Sequence, residues 1–329
     1  MVIINLSGDI MEAIASAPGK TILFGEHSVV YKQPAIATAV NKRATISIKR
    51  STNGVSTLRS DDLQFEAELD TENKSYNLIR GKPGIIRYIL EALFSTHDHS
   101  PIDIKLSLNI PIGSGLGSSA AVTVATLAAL HKFHGIKFNK HLIAKKAHIV
   151  ERNVQGIASP LDTLVCTNGG MIYLSRDKMV SRFNLNFKSS FVIGYTSKRG
   201  NTGKMVRSVR ALKNRNPRIL GSIIKTMGQI VDEAKLAIIS GNNQKIAELM
   251  NINQGLLDSI GVNTTELSRM VYSARRHGAL GSKITGSGGG GSIIAFCPGK
   301  SNEVHDALNK YDNAIKIALS NEGVNLKYR

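Results

Sequence analysis

The chain has no tryptophan, only two cysteines, and far fewer acidic than basic side chains, and each shortage closes off a class of protein. Cys166 and Cys297 stand far apart among apolar neighbours, which excludes a disulfide scaffold or a paired-cysteine metal site and predicts two buried thiols. The formal net charge of +18 points first toward nucleic acid. Yet Lys and Arg are scattered, and aromatic residues at 5% are too sparse for a base-stacking surface. The charge therefore reads as solvated surface that attracts anionic substrates, with no nucleic-acid partner. No run of about 18 apolar residues is present, so no membrane partner is expected. Met1 to Ile14 carries Asp9 and Glu12 and no basic residue, which argues against a targeting leader and makes the expected location cytoplasmic.

What the chain does have is a glycine-rich stretch set between two periodic segments. Asp103 to Ile110 alternates, with Ile104, Leu106, Leu108 and Ile110 on one face, as a half-buried strand does. From Ser118 to His134 small and apolar residues recur at helical spacing. Between them runs Pro111-Ile112-Gly113-Ser114-Gly115-Leu116-Gly117-Ser118-Ser119-Ala120-Ala121. Three glycines in five residues let the backbone turn its amides one way, and the free N–H groups of a helix start add partial positive charge. Such a loop suits phosphate. It has neither the G-x-G-x-x-G of a dinucleotide fold nor the lysine of a P-loop, so it is a cradle of another kind.

Elsewhere, Lys20 follows Pro18-Gly19, which reads as a turn, and opens an apolar run that ends at Gly25-Glu26-His27. Charged groups bracketing a buried run tend to meet in a cleft. Strands are predicted at Arg43 to Lys49 and Leu63 to Leu69, and a helix at Gly84 to Leu93. His97-Asp98-His99 reads as a polar loop. A helix over Lys140 to Val154 holds Glu151 on its last turn, and Ser159-Pro160-Leu161-Asp162 reads as a loop before the apolar run Thr163 to Cys166. After strands at Met171 to Ser175 and Ser190 to Tyr195, four helices are expected at Thr202 to Leu212, Ile219 to Ser240, Asn243 to Gly261 and Thr265 to Gly278. Short strands then bracket Gly286-Ser287-Gly288-Gly289-Gly290-Gly291, a run placed for close backbone approach rather than as a linker. The length of 329 residues allows two domains, divided near residues 185 to 195.

Three stretches together resemble the GHMP kinase superfamily and, within it, the archaeal-type mevalonate kinase family. Ala17-Pro18-Gly19-Lys20 with Gly25-Glu26-His27-Ser28-Val29-Val30-Tyr31 and Pro34 to Ala37 resembles the family's first motif. Pro111 to Ala121 resembles its second, the phosphate-binding loop, and Lys283 to Gly291 its third; Asn251 to Gly261 is also similar. The resemblance implies an α+β, two-domain GHMP kinase fold, with a ribosomal protein S5 domain 2-like N-terminal domain over residues 1–190 and a ferredoxin-like C-terminal domain over 191–329. It implies phosphorylation of mevalonate by ATP. Asp162, eleven residues after Glu151, would be the general base for the 5-hydroxyl, with Lys20 beside it. Ser118 and Glu151 would hold Mg2+, and residues 111–121 the ATP phosphates. Lys20, Glu26, His27, Asp162 and Thr202 would form the substrate site, with Gly286, Ser287, Gly288 and Gly289 as the third motif. A homodimer is also implied.

The chain departs from the family pattern in three places. Asn201-Thr202-Gly203 stands where many members have Asn-Thr-Arg, so a basic contact is lost or supplied by Arg199 or Lys204. Pro160-Leu161 precedes Asp162 where Ser-Gly is common, and Ser287 replaces a common alanine. Among alternatives within the superfamily, Glu26-His27 argues against phosphomevalonate kinases and Ser28-Val29-Val30 against galactokinases, while enzymes acting on the tertiary 3-hydroxyl are harder to separate by motif.

Overall fold

The computed structural model describes residues 12–95, 100–156, 158–183, 190–197 and 200–327. The histidine pair at residues 97 and 99, and Arg199, lie outside them. Two sheets organise the chain. The first is built from β1 (Ala13–Phe24), β2 (Ala35–Arg50), β3 (Ser56–Ser60), β4 (Phe65–Asp70), β5 (Ser75–Arg80), β6 (Ile102–Leu108), β7 (Met171–Leu174) and β8 (Val180–Phe183). The second holds β9 (Phe191–Tyr195), β10 (Gly281–Thr285), β11 (Ser292–Phe296) and β12 (Asn313–Ile317) in the order β10-β11-β9-β12. The last strand, β13 (Asn325–Lys327), returns to the first sheet, whose order is β13-β1-β2-β6-β3-β4-β5 with β7 on β2 and β8 on β7.

Helices α1 (Ile86–Phe94), α2 (Ser118–Phe133), α3 (Lys140–Gln155) and α4 (Pro160–Asn168) follow the first sheet's strands. Helices α5 (Thr202–Arg215), α6 (Pro217–Ile239), α7 (Asn243–Ser259), α8 (Thr265–Arg276) and α9 (Ser301–Asn309) accompany the second. α2 packs on β1 and β2 and against α1, α3 and α4. Because it is enclosed on all sides, its sequence is small and apolar all round rather than striped, and residues 120–132 are buried without a break. Each Val or Leu buried there stabilises the fold by about 1.5–3 kcal/mol. One core runs from α2 through Ile36 and Ile46 to Phe191 and Phe296 of the second sheet, whose rings lie 5.0 Å apart. Among the described residues no helix is long and apolar enough to cross a membrane.

Two local expectations change. Pro18-Gly19 is not a turn: β1 continues through it for 12 residues, and its pairing with β2 slips between Pro18 and Lys20. A bulge there bends the strand and re-aims the next side chain. Asp162 is not in a loop either. Ser159 caps α4, its hydroxyl accepting from the Leu161 N–H at 3.3 Å, and Pro160 takes the first helical position, so Asp162 sits in the first turn. A serine cap followed by proline is a readable helix start. Both cysteines are buried free thiols, as expected. The strands β3, β5, β8, β12 and β13 and the helix α9 have no counterpart among the elements expected from periodicity.

Candidate active site

A cavity of about 400 Å³ opens between the two sheets, lined by the glycine loop, Lys20, Glu26, His27, Glu151, Asp162, Thr202 and the third motif. Three chain segments far apart in sequence therefore share one wall. The Lys20 N–H donates to the Leu116 carbonyl at 2.8 Å, which ties β1 to the glycine loop. Gly19 and Gly117 make this approach possible. A Cβ on Gly19 would come 2.7 Å from the Leu116 oxygen, and one on Gly117 would lie 2.7 Å from Cε of Lys20.

The Lys20 ammonium meets Asp162 Oδ2 at 2.7 Å, with the lysine almost wholly buried. Burial works against the lysine's charge, but Asp162, through its charge and hydrogen bond, outweighs burial and holds Lys20 above the usual lysine range. Glu151, on the last turn of α3, is also buried, and Ser119 donates to its Oε1 at 2.9 Å. Burial first, then the negative charge of Asp162, pushes the Glu151 carboxyl up to about 7, against the opposing influence of Ser119 and Lys20.

Gly117 caps α2 in a left-handed conformation with no side-chain hydrogen bond, and no acidic residue occupies the first turn. The first backbone bond into the helix is from Ala121 to Gly117. Ser118 and Ser119, which precede that bond, line the cavity, and N–H groups at such a helix start are suited to an anion.

The first and third motifs interlock on the far wall. Thr285 Oγ1 donates to the Ile22 carbonyl at 3.0 Å and lies 3.1 Å from Thr21 Oγ1. His27, at φ 60°, places Nε2 2.8 Å from the Ser287 carbonyl. Burial lowers the His27 imidazole, the carbonyl acting in the opposite sense, and because a carbonyl only accepts, Nε2 carries the donated hydrogen. Glu26 is on the cavity wall, but its carboxylate is wholly buried in an ion pair with Lys283. Thr202, at the exposed start of α5 beneath the Asn201 cap, lies 3.3 Å from the Ser287 hydroxyl.

Of the site residues expected from the sequence, Lys20, Glu26, His27, Gly113, Gly115, Leu116, Gly117, Ser118, Ser119, Glu151, Asp162, Thr202, Gly286, Ser287 and Gly288 line the cavity, whereas Pro111, Ile112, Ser114, Ala120, Ala121 and Gly289 do not. Ser118 lines it, but the hydroxyl bonded to Glu151 belongs to Ser119. Neighbouring helical residues point about 100° apart, and nothing in the sequence says which of two serines faces α3. Lys283 is the larger omission: a lysine inside a five-residue strand buried throughout is a signal, but its partner stands 257 positions away. Beside Gly203 the structure places Arg207, whose Nη1 would lie 3.3 Å from a Cβ on that glycine.

Comparison with known proteins agrees with this geometry. The model of the GHMP kinases N terminal domain matches residues 77–170 and that of the GHMP kinases C terminal domain residues 234–314, which defines the class as GHMP kinase. The mevalonate kinase of Methanothermobacter thermautotrophicus is 45% identical over 95% of this chain and 100% of its own length, and that of Pyrococcus horikoshii 39% identical over 95% and 97%. The crystal structure of the Methanococcus jannaschii mevalonate kinase superposes with a TM-score of 0.81 at 29% identity, covering 93% of this chain and 98% of that one. The chain belongs to the mevalonate kinase family of the GHMP kinases.

Proposed function

We propose that the protein transfers the γ-phosphoryl group of ATP to the 5-hydroxyl of (R)-mevalonate, giving 5-phosphomevalonate and ADP in the mevalonate route to isoprenoids. One observation carries the reading: the Lys20–Asp162 pair, 2.7 Å apart, opens into the same cavity as the uncapped start of α2. A base and a phosphate cradle are thereby brought to one space.

A primary alcohol is a weak nucleophile. Asp162 accepts its proton, and the Lys20 ammonium favours both the ionised carboxylate and the oxygen charge that develops as the proton leaves. The loop from Gly113 to Ser119 receives the ATP phosphates on backbone N–H groups, and these donors need no rearrangement as charge moves. Glu26, His27 and Thr202 shape the alcohol end of the cavity, and Gly286 to Gly289 close it from the second sheet. No covalent enzyme intermediate is required, because holding the two substrates in line supplies most of the rate.

Ser118 and Glu151 would hold Mg2+, with Ser119 orienting the carboxylate. The donor chemistry fits: hydroxyl and carboxylate oxygens are what Mg2+ takes, and a buried carboxyl pushed up to about 7 is one that a cation returns to the ionised state. When bound, the metal neutralises phosphate charge. A division of the chain at residues 190 and 191 is supported by the two sheets sharing no strand among the described residues, with β13 returning to the first. A cytoplasmic homodimer completes the proposal.

The test offers Mg-ATP with mevalonate, phosphomevalonate, homoserine or galactose and locates the product phosphate by phosphorus–carbon coupling. Phosphate on the 5-oxygen of mevalonate is expected; phosphate on the 3-oxygen, or turnover of another alcohol in preference, overturns it. Asp162→Asn should lose about 10²–10⁴-fold in kcat while still binding Mg-ATP.

A further inference from the structure

The glycine loop is held from both sheets. On one side the Lys20 N–H of β1 donates to the Leu116 carbonyl. On the other stands Ser292, the first residue of β11, which is paired with Thr285 of β10 and with Tyr195 of β9 and is thereby fixed in the second sheet. Its side chain faces Gly115: a Cβ on that glycine would lie 2.9 Å from the Ser292 hydroxyl oxygen and 3.1 Å from the Ser292 Cβ. A residue without a side chain, here at φ 71°, lets the loop and the strand come so close.

Among the described residues the Ser292 hydroxyl has no hydrogen-bond partner, although the residue is only 1% exposed. Neighbouring hydroxyls on the cavity wall are engaged, Thr285 with the Ile22 carbonyl and Ser119 with Glu151. A buried hydroxyl left unpaired destabilises the fold, and an alanine of nearly the same size would avoid that cost. Size and packing alone therefore give no reason for a serine. The residue also lines the cavity together with Gly113, Gly115, Gly117 and Ser118. An anion resting on the loop at Gly115 would come within reach of this hydroxyl, and a phosphate oxygen is the kind of acceptor it lacks.

We propose that Ser292 is a further phosphate-binding residue: its hydroxyl donates to a phosphate oxygen of the nucleotide seated on the glycine loop. The second sheet thereby contributes a side-chain ligand to a cradle built on the first. The donor is fixed by its strand and bonded to no protein acceptor, so it is spent on the ligand alone. The inference rests on the glycine loop holding nucleotide phosphate. Its test reads binding rather than phosphoryl transfer, so it is independent of which alcohol is phosphorylated.

The experiment is titration calorimetry with ADP and with a non-hydrolysable ATP analogue, both with Mg2+, on the parent, Ser292→Ala, Ser292→Cys and, in parallel, Gly117→Ala. Ser292→Ala should bind both nucleotides about 10–100-fold more weakly, as loss of a hydrogen bond to a charged acceptor does. Without nucleotide it should melt at the parent's temperature or a few degrees above it, because the unpaired hydroxyl is gone. Ser292→Cys, which keeps a weak S–H donor, should fall between the two in affinity. Parental affinity in Ser292→Ala overturns the proposal, and so does a nucleotide-free Ser292→Ala that melts well below the parent, since the hydroxyl is then a structural group. Should Ser292→Ala fail to fold, Ser292→Gly, which also removes the hydroxyl, takes its place; if neither folds, the role is structural and the proposal falls. Weak binding by Gly117→Ala with parental binding by Ser292→Ala removes this inference and leaves the loop as the phosphate site, whereas parental binding by Gly117→Ala removes both.

Discussion

Gly113 to Gly117 and Gly286 to Gly291 both run through left-handed φ values, yet a methyl group added to each would strike different things. In the first loop it would meet side chains that line the cavity: the aliphatic stem of Lys20 at Gly117 and the Ser292 hydroxyl, 2.9 Å away, at Gly115. In the second it would meet scaffold: the Val262 carbonyl at Gly288 and the Met205 thioether at Gly289. The Gly289 N–H is already bonded to that Val262 carbonyl at 2.8 Å, whereas the amides at the start of α2 have no side-chain cap. The same composition thus serves two physical ends. One loop leaves the start of α2 without a side-chain cap; the other uses its donors and its lack of side chains to pack closely against α5 and the connection between α7 and α8.

The comparison can be broken most sharply at Gly117. Gly117→Ala forces a side chain into a left-handed position and into Lys20, so kcat/KM for ATP should fall by about 100-fold or more with only modest change in melting temperature. Gly288→Ala should behave in the opposite way. Its Cβ meets a backbone oxygen that cannot move aside, and thermal or urea unfolding should show a loss of about 2–4 kcal/mol, with kcat of the folded fraction little altered. Equal effects of the two substitutions on stability and turnover would erase the distinction.

A smaller effect concerns the carboxyl beside the first loop. With Glu151 pushed up to about 7, the folded protein holds a proton between its ordinary range and that value which the unfolded chain releases. The contribution of Glu151 to the stability of the ligand-free protein should therefore be fully present below the ordinary carboxyl range and be lost as pH rises toward 7, by about 1 kcal/mol per pH unit, then level off. Glu151→Gln should flatten that slope. It should also raise the Mg2+ requirement, since a neutral amide is a weaker ligand; an unchanged metal titration counts against Glu151 as ligand. The mildest change is Gly286→Ala. Nothing lies within 4 Å of the added methyl, so only the strain of φ 84° remains, about 1 kcal/mol in the unfolding free energy.

Much of this site is legible in the amino-acid sequence, because motifs and helix or strand spacing are local properties. The strand leading into the glycine loop, α2 and α3 follow from period, and the uncommon arrangement of Gly113, Gly115 and Gly117 marks the cradle. The resemblance of three motifs to one family brings Lys20, Glu151 and Asp162 together as a set. Even the start of α4 is encoded in Ser159-Pro160, although the same pair reads equally as a loop and leaves Asp162 there. The weaker strands at the sheet's outer edge have no such signal; β5 is exposed at every position, so it carries no alternation to detect.

What no local pattern contains is the identity of partners across the fold. That Pro18-Gly19 is a bulge follows from β2 continuing to pair on both sides of it. That Ser119 rather than Ser118 holds Glu151 follows from the rotation of α2 against α3. That Glu26 turns away from the cavity to Lys283 follows from β10 arriving behind the first motif, 257 residues later in the chain. Local propensity is encoded by neighbours in sequence and can be read there. The strength and sign of a buried charge depend on which other charges share its low-dielectric surroundings, and only the closed tertiary structure brings those together.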